Sequence, residues 1–430
     1  MMQQLDRTLA PSYHPITDLT LVQAQTHYLS NGLPVHVVHA GTQPIVSAEL
    51  VFPAGNWYEP AKGVAFFLSK MLTEGTQQRS GADLMEAFSA YGSFLQVSHS
   101  QDHFYVHVYS LRRYLRPVLA LLCEVITEAS LPADELENIR KIQLQNLQVN
   151  RQKTSFMAGR AYRNLIFGDA HPYGGGAQEE DLAAITQPQL QAYYEERIQS
   201  LAGADLILSG DCDATVLAEV EATLGQLTRQ PLRDSPAIPP VPPAAKRHET
   251  IAFPASLQST VRMGQHLFTK DHPDLFRFKV LNEVFGGYFG SRLMKNIREE
   301  KGFTYGIYSG YSAFLHAGLW VIGADVKKEA TLQTLEEIYH EMDVLRQELI
   351  PENELTTVRN YMLGSLAGSI TTPFALADKF KSIYYHNLGY DYYDRFVDTI
   401  RTVTAEELRE TARLYFDPEK LVEAIAGGRE

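Results

Sequence analysis

The chain alternates between two hydrophobic patterns that predict two kinds of element. Short segments with apolar residues at every second position are typical of strands, and longer segments with apolar residues three and four apart are typical of helices. In the first half the strand-like segments are LPVHVVHA, VSAELVFPAG and FLQVSHSQDHFYVHVYS, and the helical ones are LRRYLRPVLALLCEVITEA and 131–153. In the second half the order is STVRMGQHLF, a helical stretch from Pro273, then TYGIYSGYSAF, GLWVIGADV and a long helix near 329–347. Strands that follow one another directly predict α+β domains, each a mostly antiparallel sheet with helices on one face.

The two halves repeat one template at a spacing close to 219 residues. LPADELENIRKIQLQNL (131–147) aligns with IPENELTTVRNYMLGSL (350–366), and six positions are identical. These pairs are Pro132/Pro351, Glu135/Glu354, Leu136/Leu355, Arg140/Arg359, Leu144/Leu363 and Leu147/Leu366. Two copies joined once indicate a pair of like domains and not a solenoid.

A proline-rich segment separates the copies. PLRDSPAIPPVPP (231–243) has six prolines in thirteen residues, which favours an extended connector. We therefore predict an N-terminal domain over 1–230, a linker over 231–247 and a C-terminal domain over 248–430. The two domains are expected to form a clamshell.

Composition excludes several classes of function. The net charge of −13 argues against a nucleic-acid binder, which needs a basic face. Cys123 and Cys212 are the only cysteines, and neither lies in a recognisable nucleophile motif or suggests a disulfide framework. The sequence has no G-x-S-x-G element, so covalent hydrolase chemistry has no support.

The sequence also bears on location. No stretch is long and apolar enough to predict a transmembrane segment, and the amino terminus MMQQLDRTLAPSYHP lacks the features of a signal peptide. We expect a cytoplasmic protein. A leader that had been removed would leave no trace in this sequence.

Two patterns suggest ligand sites but have simpler interpretations. His99, His103 and His107 are four residues apart, but on a single strand that spacing separates neighbours by about 13 Å, too far to share an ion. Gly174–Gly176 lacks the lysine and hydroxyl residue that follow a phosphate-binding loop. We interpret the first as imidazoles on a strand and the second as a flexible loop.

Three segments together resemble one family of zinc peptidases. They are ELVFPAGNWYEPAKGVAFFLSKMLTEGT, the 131–147 helix and VLNEVFGGYFGSRLMKNIREEKGFTYGIYS (280–309). The resemblance is to the pitrilysin, insulin-degrading enzyme and mitochondrial processing peptidase family, and it covers nearly the whole chain. Active members carry an inverted His-x-x-Glu-His motif on the first helix and a third ligand, a glutamate, on a later one.

This chain departs from the family pattern at every catalytic position. Phe66 and Lys70 stand where the resemblance places the two histidines, Ser69 stands in place of the general-base glutamate, and the third ligand falls at or beside Asn146. A phenyl ring has no lone pair, and a protonated lysine repels a cation. Leu95-Gln96 also replaces the family's Asn-Ala on the substrate-pairing strand. We expect no metal site and no cofactor in this chain.

The second half keeps the family pattern. Arg298 and Tyr305 match the substrate-binding Arg and Tyr of the family at the same seven-residue separation. The alternative is ordinary packing, with Arg298 paired to Glu299 or Glu300 and Tyr305 filling the sheet face. Gly286, Gly287 and Gly290 resemble a short glycine-rich loop of non-catalytic processing-peptidase subunits, and tight turning explains them equally well.

Three hypotheses of function follow. The first is a non-catalytic subunit of a two-chain zinc peptidase, which encloses unstructured peptides while a homologous partner supplies zinc. The second is a homodimeric peptide-binding or scaffold pseudo-peptidase. The third is an active peptidase with an unusual site.

Overall fold

The N-terminal half forms one six-stranded sheet with eight α-helices. The computed structural model describes residues 8, 16, 19–232, 237–242 and 246–428. The strands are β1 (Gln25–Tyr28), β2 (Pro34–His39), β3 (Ile45–Phe52), β4 (Phe94–His99), β5 (Phe104–Leu111) and β6 (Asp205–Gly210). The helices are α1 (Val64–Met71), α2 (Gly81–Ser89), α3 (Leu115–Glu128), α4 (Ala133–Arg151), α5 (Thr154–Phe167), α6 (Glu179–Ala184), α7 (Gln187–Tyr194) and α8 (Ala214–Glu221).

The C-terminal half repeats this arrangement with a five-stranded sheet. Its strands are β7 (His248–Ala252), β8 (Gln258–Leu267), β9 (Thr304–Ala313), β10 (Gly318–Lys327) and β11 (Val422–Gly427). Its helices are α9 (Leu275–Asn282), α10 (Thr331–Gln347), α11 (Glu352–Gly368), α12 (Pro373–Tyr384), α13 (Asp391–Thr402) and α14 (Ala405–Tyr415). Two wider helical turns, Glu283–Gly287 and Met294–Glu300, lie between α9 and β9.

Both sheets are mostly antiparallel, as predicted. The strand orders are β1-β2-β6-β3-β5-β4 and β7-β11-β8-β10-β9. Each sheet has one parallel pair, β2 with β6 and β11 with β7. The order leaves β4 at an edge of the first sheet and β9 at an edge of the second.

The interpretation of His99, His103 and His107 as positions on a single strand is wrong. The segment is a hairpin in which His99 ends β4, His103 lies in the turn and His107 lies in β5. The backbone N–H groups of Asp102 and His103 donate to the Ser100 hydroxyl, which stabilises the turn. A polar SQD tripeptide inside a β-type run is the signal for this turn.

The duplication extends to individual hydrogen bonds. Arg140 of α4 donates to the carbonyl oxygen of Ile185 (2.6 Å), and Arg359 of α11 donates to that of Val403 (2.7 Å). The next residue in each copy is the threonine that begins the following helix with a capping box. The two arginines that the copies share therefore donate to main-chain carbonyl oxygens just before α7 and α14 begin.

Each sheet packs its own helices on one face and a helix of the other domain on the opposite face. In β3 and β6, Leu50 and Leu208 point into the N-terminal core, whereas Val51 and Ile207 point to the other face and contact Phe380 of α12. In β10 of the C-terminal sheet, Trp320 and Ile322 enter the C-terminal core. On the other face of that sheet, Leu319 and Val321 pack with Ala161 and Tyr162 of α5.

The two helices that cross are copies of each other. Helix α5 begins at Thr154 and α12 at Pro373, which is the spacing of the duplication. The prediction of helices on one face is correct for the helices of each domain, but the other face is covered by the crossed helix. Two α+β domains thus form the clamshell, and each domain carries one helix that covers the outer face of the other domain's sheet.

The proline-rich segment contains no helix or strand over 237–242. The rest of the predicted 231–247 linker includes residues outside those described. Within the described part, Val241 packs against the cluster that includes Tyr162 and Phe167 of α5. The connector therefore contacts the crossed helix.

Candidate functional site

Helix α1 is positioned by a carboxyl group. It begins after Gly63, whose φ of 99° is favourable only for glycine. At this end of the helix the Glu59 carboxyl group accepts two hydrogen bonds, one from the N–H of Gly63 and one from the N–H of Ala65, each 3.0 Å long. Burial raises the pKa of Glu59 from its ordinary value of 4.5 to about 7, although these two bonds oppose the rise. Glu59 was not among the residues predicted from the sequence, because it precedes the helix by five residues and has no recognisable motif.

The motif positions on α1 form an aromatic and not an ionic site. The Phe66 ring lies 6.0 Å from the His99 ring and 5.9 Å from the Lys70 ammonium. Ser69 is buried and donates its hydroxyl to the carbonyl oxygen of Phe66 at 2.7 Å. Burial, together with the nearby Lys70 ammonium, lowers the pKa of His99 to about 4. His99 is thus a neutral imidazole beside a phenyl ring.

The third motif position was predicted at or beside Asn146, and the neighbour Leu147 is the residue that faces α1. Asn146 is exposed on α4, whereas Leu147 is 5% exposed and lines the same cavity as Phe66. Successive residues on a helix point about 100° apart, so Leu147, in phase with buried Leu136, faces α1 and Asn146 does not.

These residues do not fit a zinc ion. The side chains brought together at α1 are a phenyl ring, a serine hydroxyl that bonds its own helix, an ammonium group and a leucine. Zinc sites in proteins use thiolates, imidazoles and carboxylates in tetrahedral sets. No group of three such side chains suited to a metal lies within the described ranges.

A cavity of about 460 Å³ lies beside these residues. Phe66 and Leu147 form part of its apolar wall, and Glu59, His99 and Gln143 add polar groups. The cavity adjoins β4, which pairs with β5 on one side and has no other partner strand in the part of the chain that is described. An unpaired strand edge can accept an extended peptide by main-chain hydrogen bonds.

The Leu95-Gln96 pair lies on this edge strand. Leu95 is 9% exposed and belongs to the N-terminal core, and Gln96 is exposed. The substitution of the family's Asn-Ala therefore leaves the strand and its free edge in place.

Arg298 and Tyr305 form a second site on the C-terminal domain. The Arg298 guanidinium lies 4.5 Å from the Phe289 ring centre and 5.4 Å from that of Tyr305. Tyr305 is 91% exposed on edge strand β9, and Phe289 is 64% exposed. These contacts do not match the packing alternative, because Arg298 has no described ion pair with Glu299 or Glu300 and the Tyr305 ring is not buried.

A cavity of about 720 Å³ borders Tyr305. Gly286 and Gly287 line it, and Gly290 lies in the turn that follows. A Cβ atom on Gly286 would come within 2.6 Å of the Ser309 Cβ, so close packing of this turn on β9 requires glycine there. This cavity and the one at α1 share no lining residue, so the chain alone does not bring the two sites together.

Comparison with known proteins places the chain in a family. Residues 35–165 match the family described as Insulinase (Peptidase family M16), and residues 184–362 match the Peptidase M16 inactive domain. The chain belongs to the M16 family, as the sequence motifs predicted.

Individual relatives agree with this assignment. A non-peptidase homolog of Helicobacter pylori is 21% identical over 424 residues, covering 95% of each chain. An uncharacterized zinc protease of Bacillus subtilis is 21% identical over 345 residues, covering 79% of this chain and 83% of its own. A crystal structure of a peptidase M16 inactive domain from Pseudomonas fluorescens superposes with a TM-score of 0.85 at 24% identity, covering 95% of this chain and 98% of the other. The chain is peptidase-like in fold and pseudo-peptidase-like in nature.

No helix among the described residues is both long and apolar enough to cross a membrane.

Replacing Glu59 should change how stability depends on pH. The pKa of Glu59 is raised in the folded chain, so protonation of this carboxyl group favours folding. This contribution to the free energy of unfolding is fully present below pH 4.5 and is lost as pH rises through about 7. A rise from 4.5 to about 7 corresponds to about 3 kcal/mol. Glu59→Gln keeps an oxygen that accepts the two N–H groups but cannot ionise. We expect the variant to be more stable than wild type at pH 8 and to show a flatter profile between pH 5 and 8 in urea unfolding.

The matched control is Glu86→Gln on the exposed face of α2. It should leave the pH profile unchanged. A Glu59→Gln profile that runs parallel to wild type would show that Glu59 does not bind a proton on folding.

Proposed function

We propose that this chain is the non-catalytic subunit of a two-chain M16 peptidase. A homologous partner would supply the zinc site, and this chain would supply Arg298, Tyr305 and part of the chamber that encloses an unstructured peptide. The proposal rests on the contrast between the two sites, since the described residues of α1 offer no ligand set for zinc, whereas Arg298 and Tyr305 are both present and lie side by side.

The observation that carries the proposal is the geometry of Arg298. The guanidinium lies over the rings of Phe289 and Tyr305, and no carboxylate of the described chain lies within ion-pair distance of it. Its N–H groups are therefore available to a peptide carbonyl or to a developing oxyanion. The Tyr305 hydroxyl, on a largely exposed side chain, adds a directed donor.

Mixing experiments test this function. The pure chain should bind no zinc and cleave no peptide, and activity should appear when a zinc-site homologue encoded beside its gene is added. Arg298→Ala should lower kcat/KM of the mixture about 100-fold, as loss of one oxyanion donor does in other enzymes. Tyr305→Phe, which keeps the ring that stacks on Arg298, should lower it less and isolates the hydroxyl.

The control variant is Arg395→Ala, which removes an arginine that pairs with Asp391 on the exposed surface of α13. It should leave the mixed activity within about twofold, because such pairs contribute little. Unchanged activity with Arg298→Ala contradicts the role of that residue. A stable homodimer that binds peptides and ignores every zinc-site homologue would favour the scaffold function, and chelator-sensitive cleavage by the pure chain would establish an active peptidase.

A further inference from the structure

A polar cavity lies between the two domains, away from both sites described above. Its volume is about 430 Å³. The N-terminal domain contributes β3, β5 and the turn between β4 and β5, and the C-terminal domain contributes α12, Lys270 and the turn at 313–315. The cavity therefore exists only when both domains are in place.

Several polar side chains in this cavity have no partner among the described residues. The hydroxyl of Tyr385 is shielded from solvent and makes no hydrogen bond. His103 is 9% exposed, and its ring lies 4.2 Å from the ring of Tyr385, tilted by 46°, without a hydrogen bond to either nitrogen. Buried polar groups are nearly always bonded to protein, water or ligand. These groups therefore have bonding capacity that a ligand in the cavity would use.

The carboxylates of the cavity already bond to groups of the protein. Glu49 and Asp378 both bind the Lys381 ammonium. Asp102 accepts the hydroxyl of Tyr173 and, at 3.1 Å, the N–H of Leu315. The negative side of the cavity thus has its partners within the protein.

One positive charge is not compensated. The Lys270 ammonium donates to the hydroxyl and, at 2.6 Å, to the main-chain oxygen of Ser382, and no carboxylate of the described chain lies within ion-pair distance. Burial lowers the pKa of Lys270 to about 8, which leaves it mostly charged at neutral pH. Burial also lowers the pKa values of His103 and His386 to about 4, so both rings are neutral.

We propose that this cavity binds a small molecule that carries one carboxylate group. The carboxylate would pair with Lys270, and the Tyr385 hydroxyl and the two imidazoles would bond the rest of the polar ligand. Among the described residues no carboxylate lies within ion-pair distance of Lys270, and the volume leaves room for an organic body beside Phe314 and Leu315. This inference does not depend on the proposed peptidase function.

A pair of isosteric probes tests the proposal on the full chain. N-acetylglycine has one carboxylate, and N-acetylglycinamide has a neutral amide in its place. N-acetylglycine should raise the thermal unfolding midpoint in a saturable manner and bind in calorimetry with a Kd on the order of 1 mM, as expected for a ligand of this size. The amide should do neither at the same concentrations.

Two variants locate the site. Lys270→Gln should weaken N-acetylglycine binding at least about tenfold, because it removes a charge-assisted bond. Tyr385→Phe should weaken it about threefold, while the free protein keeps its stability because the hydroxyl has no protein partner. Lys141→Gln, on the exposed face of α4, is the charge-matched control and should bind as wild type does.

Equal binding of the two probes would overturn the proposal, as would wild-type affinity in Lys270→Gln or Tyr385→Phe. If Lys270→Gln fails to fold, Tyr385→Phe alone decides, because it removes a group that the folded chain does not use.

Discussion

Phe380→Ala is expected to lower the free energy of unfolding by about 3–5 kcal/mol, the range for removing a phenyl ring from a packed interior. Phe380 belongs to the C-terminal half, but its ring packs on Val38, Val51 and Ile207 of the N-terminal sheet. It also stacks on Tyr384 at 5.1 Å. The substitution therefore removes a contact between domains and not one within a domain.

Urea unfolding combined with amide exchange distinguishes this interpretation. The loss of stability should include faster exchange in β6, which lies in the other domain and directly contacts the helix. Phe94→Ala is a suitable control, because Phe94 is 52% exposed at the edge of the same sheet and should contribute less than about 1 kcal/mol. Accelerated exchange confined to the C-terminal domain would contradict the crossed-helix arrangement.

The crossed helices predict that the duplicated chain unfolds as one unit. If α5 and α12 each packed within their own domain, the interface between the two domains would be smaller. The domains could then move relative to each other, as in many two-domain proteins. Here α5 covers one face of the C-terminal sheet, and α12 covers one face of the N-terminal sheet. Either domain unfolded alone would expose a buried face of the other, so we expect one cooperative transition for the described chain.

The sequence predicted the features that depend on the local spacing of residues, namely the strands and the duplicated domains. The β-type composition of VSAELVFPAG predicts a strand, and the repeated Pro, Glu, Leu and Arg positions of 131–147 and 350–366 predict two like domains. Both predictions are confirmed by the sheets and by the family match.

The same patterns could not show which partner a face contacts. The apolar positions Leu376, Ala377 and Phe380 predict that α12 buries one face. Their spacing does not indicate whether that face packs on the N-terminal or the C-terminal sheet. The sequence placed the third motif position at or beside Asn146 and could not decide between neighbours, and of these Leu147 lines the same cavity as Phe66, because a shift of one residue rotates a helical position by about 100°. The stacking of Arg298 on Phe289 depends on the path of the turn at 287–293, which the motif does not determine.

An ion pair buried between the domains leads to the second large effect. The Lys381 ammonium of α12 binds the Glu49 carboxylate of β3, and their side chains are only 18% and 12% exposed. Burial alone would lower the pKa of Lys381, but Glu49 and Asp378 raise it above its ordinary value, so the lysine stays charged. Both groups have been withdrawn from water and depend on each other.

Removing one member of this pair should cost more than removing both. Lys381→Met should lower the free energy of unfolding by about 3–5 kcal/mol, because it leaves Glu49 buried without its cation. Glu49→Gln should also destabilise, and the double variant should recover much of the loss, because a neutral pair has no uncompensated charge. Urea unfolding of the four proteins in this cycle gives the coupling energy. The exposed pair Arg395 and Asp391 is the control, and its cycle should give less than about 0.5 kcal/mol. Additive losses at Glu49 and Lys381 would mean that the two charges do not stabilise the domain interface through each other, and that the crossed helix is held by its apolar face alone.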